Sequence, residues 1–427
     1  METENKAFSK AAWRLIPFLG LLYFVSFLDR VNVGFAALTM NRDLGFGPEA
    51  FGLGAGIFFI TYAALEVPSN VVLERVGARL WIFRIMLTWG VLSAAMALVY
   101  DETSFYSLRF LLGAAEAGFF PGVIFYLSRW FPAPMRARMI AGFMVAVPLA
   151  GIIGAPLSSA ILALHGLAGL AGWKWLFLIE GIPAALTAFV VLFYLPDGPD
   201  DAKWLDTDER AAIAARLARE PVPDHHALWP ALRDPRVWML ALPYLGIVLT
   251  LYGLNFWLPQ IVKGMGFDNL ETGFVVAVPY VAAGLAMVGW GRMSDRSGER
   301  VWHFASAALL AAAGYAGAAV LGGDLAVFLA LTVAMIGLYA TFGPFWSVPP
   351  MFLRGAAAAG GIALINSIGN LGGFGGPYLI GWVKETTGSY AAAMGVFAAV
   401  AVLAAFIMAA FGFAYGREGT VRPPVAT

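Results

Sequence analysis

Long apolar runs alternate with short polar segments along almost the whole chain. A bilayer core about 30 Å thick requires roughly 20 apolar residues per helix. None of the runs alternates with a period of two, as the strands of a membrane barrel would. The pattern therefore predicts an all-α polytopic membrane protein with about twelve transmembrane helices. We place these helices near residues 13–38, 51–73, 80–100, 105–130, 139–164, 174–195, 237–262, 271–291, 303–322, 325–347, 357–382 and 389–414.

The longest polar stretch separates the sixth and seventh runs and divides the chain into two similar parts. We expect a first half of six helices at 1–195, a linker at 196–236 on the cytoplasmic side, and a second half of six helices at 237–427. Within the linker, Asp206 followed by Glu209 is typical of a capping box at a helix start. The linker is therefore predicted to contain a surface helix.

Composition supports a membrane protein. The chain has 427 residues, of which 60% are hydrophobic and 13% charged, and its mean hydropathy is +0.76. Because 27 basic residues balance 27 acidic ones, total charge favours no nucleic-acid partner. The chain contains no cysteine, and its 4 histidines show no metal-ligand spacing. We expect no metal and no cofactor.

The basic residues are distributed unevenly over the polar segments. If the N-terminus is cytoplasmic, most of the 27 basic residues fall in inner segments, and the outer segments hold Arg42, Lys174, Lys263 and Lys384. Such an asymmetry orients membrane proteins with the basic loops inside. We therefore expect a multi-pass protein of the inner (plasma) membrane with both termini in the cytoplasm.

A short charged motif occurs after the second run and again after the eighth. Its core, acidic-Arg-x-Gly-x-Arg, occupies residues 74–79 and 295–300. Glycine permits a tight turn, and an acid beside an arginine can cap a helix end and pair with a neighbouring helix when the halves close. We expect gating or structural roles for Glu74, Arg75, Asp295 and Arg296.

These segments resemble the GxxxDRxGxR signature loop of the major facilitator superfamily, with Asn70 and Glu74 as substitutions in the first copy. The segments 28–32, 66–70, 109–122 and 173–181 are similar to those of the anion:cation symporter family, whose members carry tartrate, phthalate, sugar acids, sialic acid or glutamate. The resemblance implies uptake of organic anions, commonly driven by protons, through alternating access of the two halves around a central site.

Burying an ionisable group deep in a membrane costs free energy, so such groups are by default expected to line a cavity and to take part in function. All the candidates lie in the first half, and we expect the second half to contribute neutral polar and aromatic contacts. The candidates are Asp29, Arg30, Glu66, Arg109, Glu116 and Glu180.

Arg30 is predicted to bind the substrate carboxylate, because a guanidinium stays charged and binds a carboxylate with two hydrogen bonds. Tyr23, Ser26 and Arg30 share one helix face, which we orient toward the cavity, with Tyr23 as a further contact. Asp29 should point about 100° away. The alternative is that Arg30 is permanently paired with a neighbouring acid.

Glu116 is the first candidate for proton coupling, because desolvation favours the neutral form of a deep carboxyl group. Asp29 is the second, since the family resemblance maps proton-linked acids onto both positions. Arg109 shares a helix face with Glu116. It could hold the Glu116 carboxylate or gate it, and a purely structural role is equally open.

Glu66 is expected to have a structural role, as a partner for basic residues at the inner gate, whereas Tyr62 is a predicted substrate contact. Glu180 is expected to be a helix-packing acid. In the second half the predicted substrate contacts are Tyr252, Asn255, Asn366 and Asn370. For the amides, hydrogen bonding between helices is the alternative.

These features favour a proton-coupled importer of a hydroxylated or aromatic mono- or dicarboxylate, functional as a monomer in the lipid bilayer. An organic-anion exchanger is the closest alternative. A non-transporting nutrient sensor is a weaker one, because such a protein is expected to have a long signalling tail. An enzyme is not expected, because no nucleophile-base pair or phosphate loop has a recognisable spacing.

Overall fold

The computed structural model describes residues 2–219, 233–353 and 355–415. Within these ranges the chain is almost entirely helical, and no strand is present. The helices of the first half and linker are α1 Glu2–Leu44, α2 Pro48–Val76, α3 Ala78–Ala95, α4 Glu102–Glu116, α5 Phe119–Ser128, α6 Ala133–Met144, α7 Ala146–Leu162, α8 Gly172–Tyr194 and α9 Thr207–Leu217. Those of the second half are α10 Pro235–Lys263, α11 Asn269–Ser297, α12 Val301–Val320, α13 Asp324–Trp346, α14 Pro349–Phe352, α15 Gly355–Thr387 and α16 Ala391–Tyr415.

The predicted all-α membrane architecture is confirmed. Eleven segments in the described part of the chain are long and apolar enough to cross a membrane. The remaining long helix, α15, has 33 residues and is long enough, but its many glycines and the amides Asn366 and Asn370 make it more polar. A helix with these residues is stable in a membrane where other helices cover its polar face.

The fourth predicted helix is not continuous, which corrects the sequence expectation. The chain leaves α4 after Glu116 and begins α5 at Phe119, because Gly118 adopts a left-handed conformation with φ of 89°. A side chain at Gly118 would also collide with Ser69 of α2. The fifth predicted helix is likewise divided, into α6 and α7, at Val145. Both breaks lie in helices that pass the cavity described below.

The predicted capping box in the linker is confirmed. Asp206 accepts a hydrogen bond from the backbone N–H of Glu209 at 2.7 Å, and the Glu209 carboxylate accepts one from the backbone of Asp206 at 3.1 Å. Lys10 of α1 donates to the same carboxylate at 2.8 Å. The ion pair attaches the linker helix α9 to the end of the bundle where α1 begins.

We call the end of the bundle where α1 begins the terminal end, and the end where α1 finishes at Leu44 the distal end. The two charged motifs lie at the terminal end, where Gly77 and Gly298 have φ of 98° and 70°, as expected for tight turns. Asp295 pairs with Arg300 of its own loop at 2.6 Å.

The two halves pack closely toward the distal end. The start of α2 lies against the end of α15, so that a Cβ atom on Gly52 would lie 2.6 Å from the carbonyl oxygen of Pro377. Phe51 packs edge-on against Trp257 of α10, with 5.1 Å between ring centroids. The buried apolar core runs through both halves. This seal leaves a cavity farther toward the terminal end.

Candidate functional site

A cavity lies between the two halves, with about 690 Å³ of empty space, part of it open to solvent. Both halves contribute aromatic rings, and the charged group in its lining is Arg30. The polar lining residues include Tyr23, Arg30, Tyr62, Tyr252, Asn366 and Asn370. The structure therefore brings together most of the predicted substrate contacts.

Arg30 connects the two halves. Its Nη1 donates to the hydroxyl of Tyr252 at 2.9 Å, and its Nη2 forms an ion pair with the carboxylate of Glu116. The guanidinium also lies 5.0 Å from the ring centroid of Tyr62, within the distance of a cation–π contact. Arg30 thus lines the cavity and is paired with an acid at the same time, so the geometry contains both of the roles considered above.

Glu116, the last residue of α4, has a carboxylate that is only 1% exposed. The oxygen bound by Arg30 also accepts a hydrogen bond from Ser26 at 2.8 Å. Ser26 lies one turn before Arg30 on α1, and both side chains bind the same Glu116 oxygen. The first candidate for proton coupling is therefore in direct contact with the predicted substrate anchor.

Asp29 points away from the cavity, as its position beside Arg30 on a helix predicts. It accepts hydrogen bonds from Ser93 at 2.8 Å and Asn32 at 3.2 Å. Glu180 is buried in the same bundle and accepts from Ser158 at 2.8 Å, which agrees with a helix-packing acid. Asp29 is thus separated from the substrate-lining groups, while Glu116 is not.

Of the roles left open for Arg109, direct contact with Glu116 is not the one that the structure shows. Arg109 donates from Nε to the carbonyl of Gly54 at 3.2 Å and from Nη2 to that of Ala55 at 2.9 Å. Its guanidinium carbon also lies 4.9 Å from the ring centroid of Phe58. These contacts fix α4 against α2, so the geometry supports the structural role.

Glu66 corrects a second expectation, since its partners are neutral. It accepts hydrogen bonds from Asn366 at 2.6 Å, Ser367 at 3.0 Å and Asn370 at 3.3 Å. Because α2 continues for ten residues beyond Glu66, to Val76, the carboxylate lies inside the bundle and faces α15. It does not reach the basic residues of the loop that follows.

Asn255 is the predicted contact that the structure places outside the cavity lining. Its side-chain oxygen accepts from the Tyr280 hydroxyl at 3.2 Å, and the residue is buried. Sequence analysis missed Tyr244, which lines the cavity and stacks on Phe345 with 4.8 Å between ring centroids. The spacing of Tyr244, Val248 and Tyr252 on one helix face was the available signal.

Comparison with known proteins agrees with the fold. The family model described as Major Facilitator Superfamily matches residues 19–377. A protein of Agrobacterium vitis named "Putative tartrate transporter" is 53% identical over 409 residues, which cover 95% of this chain and 94% of that protein. A "Quinolone resistance transporter" of Acinetobacter baumannii is 42% identical over 399 residues, which cover 92% of each chain.

A solved structure of a bacterial homologue of the human lysosomal transporter Spinster, in an inward-facing conformation, has a TM-score of 0.76 with 18% identity. The match covers 96% of this chain and 98% of that one. The fold is therefore shared across a large sequence distance. The chain belongs to the Major Facilitator Superfamily and is a membrane transporter, not an enzyme.

Proposed function

We propose that this transporter takes up an organic anion together with a proton, by alternating access of the halves 1–195 and 237–427 around the cavity. The observation that carries the proposal is the position of Arg30. Its guanidinium lines the cavity, where it contacts the proton-coupling candidate Glu116 and the second-half residue Tyr252. Neutral amides of α15 also line the cavity.

The substrate class follows from this charge pattern and from the relatives. A guanidinium suits a carboxylate, and the donors Asn366 and Asn370 suit hydroxyl or further carboxylate oxygens. The name of the Agrobacterium relative makes tartrate the first substrate to test. A hydroxylated or aromatic mono- or dicarboxylate is the wider class.

In the proposed cycle, a substrate carboxylate binds Arg30 and takes the place of Glu116. Glu116 then exists in two states, bound to Arg30 as an anion or protonated when the substrate occupies Arg30. This alternation couples a proton to the anion, because a displaced and buried carboxylate is costly unless it is neutral. Asp29 is the second candidate for proton coupling, and it would carry the proton at a site away from the cavity.

Uptake by purified protein in proteoliposomes tests the proposal. Labelled tartrate should accumulate when the outside is acidic and should equilibrate without a pH gradient. Other hydroxy acids, phthalate and a fluoroquinolone are the competitors, the last because of the name of the Acinetobacter relative. No accumulation of any organic acid under a pH gradient would contradict proton-coupled uptake.

Organic-anion exchange is the alternative, and Arg30 also supports it, because one cation can hold incoming and outgoing anions in turn. Exchange predicts that labelled substrate enters only when unlabelled substrate is inside, whether or not a pH gradient is present. Against it, the second-half residue that faces Arg30 is Tyr252, whereas a second arginine at that place would favour exchange.

We also propose an inner-membrane location with both termini in the cytoplasm, supported by the distribution of basic residues. Reporter fusions after Pro223 and after Thr427, which lie outside the described residues, should both report a cytoplasmic position. A periplasmic signal from either fusion would overturn the orientation.

A further inference from the structure

Glu66 is bound in an unusual way for a buried carboxylate. Its three donors, Asn366, Ser367 and Asn370, come from one helix, α15, of the opposite half. The residue is 3% exposed. In the described part of the chain no ion pair involves Glu66, and the side chains that donate hydrogen bonds to its carboxylate are neutral.

The same donors also face the cavity. Asn366 and Asn370 line it together with Tyr62, which lies one helical turn before Glu66 on α2. A side-chain amide has two N–H donors. The amides could therefore reach both the Glu66 carboxylate and an anion in the cavity, but two carboxylates held by the same side chains repel each other at short range, so occupancy by one opposes occupancy by the other.

We infer that Glu66 is an internal ligand that occupies the α15 donors in the empty transporter and competes with the substrate for them. The inference rests on the proposed function, because it requires an anionic substrate. The substrate class becomes narrower: one carboxylate binds Arg30, and a second oxygen-rich group, a carboxylate or adjacent hydroxyls, displaces Glu66 from α15. Glu66 is thus a specificity-determining residue.

Competition by an internal ligand lowers the apparent affinity by the fraction of time during which the donors are free. Replacing Glu66 with alanine should remove both the competitor and its charge. We expect Glu66→Ala to bind tartrate about tenfold more tightly than the wild type. Isothermal titration of the purified protein measures the change.

Glu49→Ala is the matched control. Glu49 lies on the same helix and accepts a hydrogen bond from Tyr378 of α15 at 3.1 Å, but it is near the distal end and outside the cavity lining. This variant also loses a contact from α2 to α15, and its tartrate affinity should stay at the wild-type value. Equal or weaker tartrate binding in Glu66→Ala would overturn competition.

A second experiment does not require the substrate. In Glu66→Ala, formate should fill the space left by the side chain and bind the freed donors. Formate should therefore raise the Tm of Glu66→Ala more than equimolar chloride does, and this difference should be larger than in the wild type and in Glu49→Ala, where Arg30 is the remaining carboxylate site. An equal response in all three proteins would show that the donors do not hold a carboxylate.

The two experiments separate the two ideas. If the wild type binds no organic acid, the proposed function fails, while the formate response still decides whether the α15 donors form a carboxylate site. If Glu66→Ala does not fold, Glu66→Gln removes the charge and keeps nearly the same shape. This variant should bind tartrate about threefold more tightly, and unchanged affinity would again overturn the inference.

Discussion

The two halves of the transporter present different chemistry to the cavity that they share. Among the described residues, the buried charged side chains of the transmembrane helices all belong to the first half, whereas the buried polar groups of the second half are neutral. The first half supplies Arg30 and Glu116, and the second supplies Tyr252 and the amides of α15. The sequence analysis expected this division.

The difference has a physical reason. An ion pair within one half keeps its partners when the halves move, so a buried charge need not lose its counter-ion during the cycle. Across the cavity, the first-half charges of Arg30 and Glu66 contact neutral groups of the second half, so separating the halves breaks hydrogen bonds and leaves the Arg30–Glu116 ion pair intact. If this explanation holds, changes to the Arg30–Glu116 pair should impair binding or coupling more than changes to the second-half contacts do.

Arg30→Lys should have the largest effect on binding. Lysine keeps the charge but cannot contact Glu116, Tyr252 and a carboxylate with one planar group. The loss of a charge-assisted hydrogen bond of about 2 kcal/mol corresponds to roughly 30-fold in Kd. Titration with tartrate measures it. Arg14→Lys is the control, since Arg14 is on the same helix but contacts the ring of Tyr194. Near-native affinity in the Arg30 variant would leave the anion anchor unassigned.

Glu116→Gln should separate binding from energy coupling. Glutamine has nearly the shape of a protonated glutamate but cannot titrate, so it fixes one state of the cycle. Exchange of labelled for unlabelled substrate should persist in proteoliposomes, while accumulation driven by a pH gradient should vanish. Glu102→Gln, at the exposed start of the same helix, should transport normally.

Wild-type accumulation by Glu116→Gln would show that Glu116 is not an obligatory coupling site. Asp29→Asn is the parallel test for the other acid. Its side chain binds Ser93 and Asn32 away from the cavity. A selective loss of accumulation in Asp29→Asn would transfer the coupling role to the acid that does not contact Arg30.

Tyr252→Phe should have a smaller effect, because it removes one neutral hydrogen bond to Arg30 and leaves the ring in place. A net loss of about 1 kcal/mol corresponds to roughly fivefold weaker binding. Tyr315→Phe is the control. Tyr315 donates to the carbonyl of Thr250 at 2.8 Å inside the second half, and its removal should lower Tm without changing Kd. A 30-fold loss in Tyr252→Phe would break the contrast between the halves.

The fold was predictable where the signals are local. Long apolar runs reflect the lipid directly, a capping box such as that of Asp206 and Glu209 is contained in four residues, and the positions of Asp29 and Arg30 follow from helix geometry. The break at Gly118 was missed because hydropathy does not distinguish a continuous helix from two helices in line.

The candidate site was predictable only in part, because contacts between halves depend on how the helices dock. Glu66 and Asn366 are 300 residues apart in sequence, and each could be satisfied in other ways. Asn255 lies on the helix that carries Tyr252, but its side chain reaches Tyr280. The structure places these side chains, and their roles in transport stay predictions.

The smallest effect is expected for the ion pair of Lys10 and Glu209, which lies outside the membrane. It contrasts with the buried pair of Arg30 and Glu116. Hydrogen bonds from the Lys10 side chain and the Asp206 backbone hold the pKa of Glu209 below its ordinary value. A carboxyl group whose pKa is lowered on folding contributes stability above its unfolded pKa, about 4.3, and this contribution is lost as the pH falls through the folded pKa.

Glu209→Gln should therefore loosen α9 slightly at pH 7, and the difference from the wild type should disappear at a pH below the folded pKa. Hydrogen exchange of the α9 amides, measured in detergent across this range, detects local opening that a global Tm would miss. Glu4→Gln is the control. Its partner, Arg216 of α9, is 3.7 Å away, and both side chains are partly exposed. Because exposed ion pairs contribute little to stability, the hydrogen exchange of α9 should hardly change in this variant. A difference between Glu209→Gln and the wild type that persists unchanged in acid would show that the capping geometry, and not the carboxylate charge, attaches α9 to the bundle.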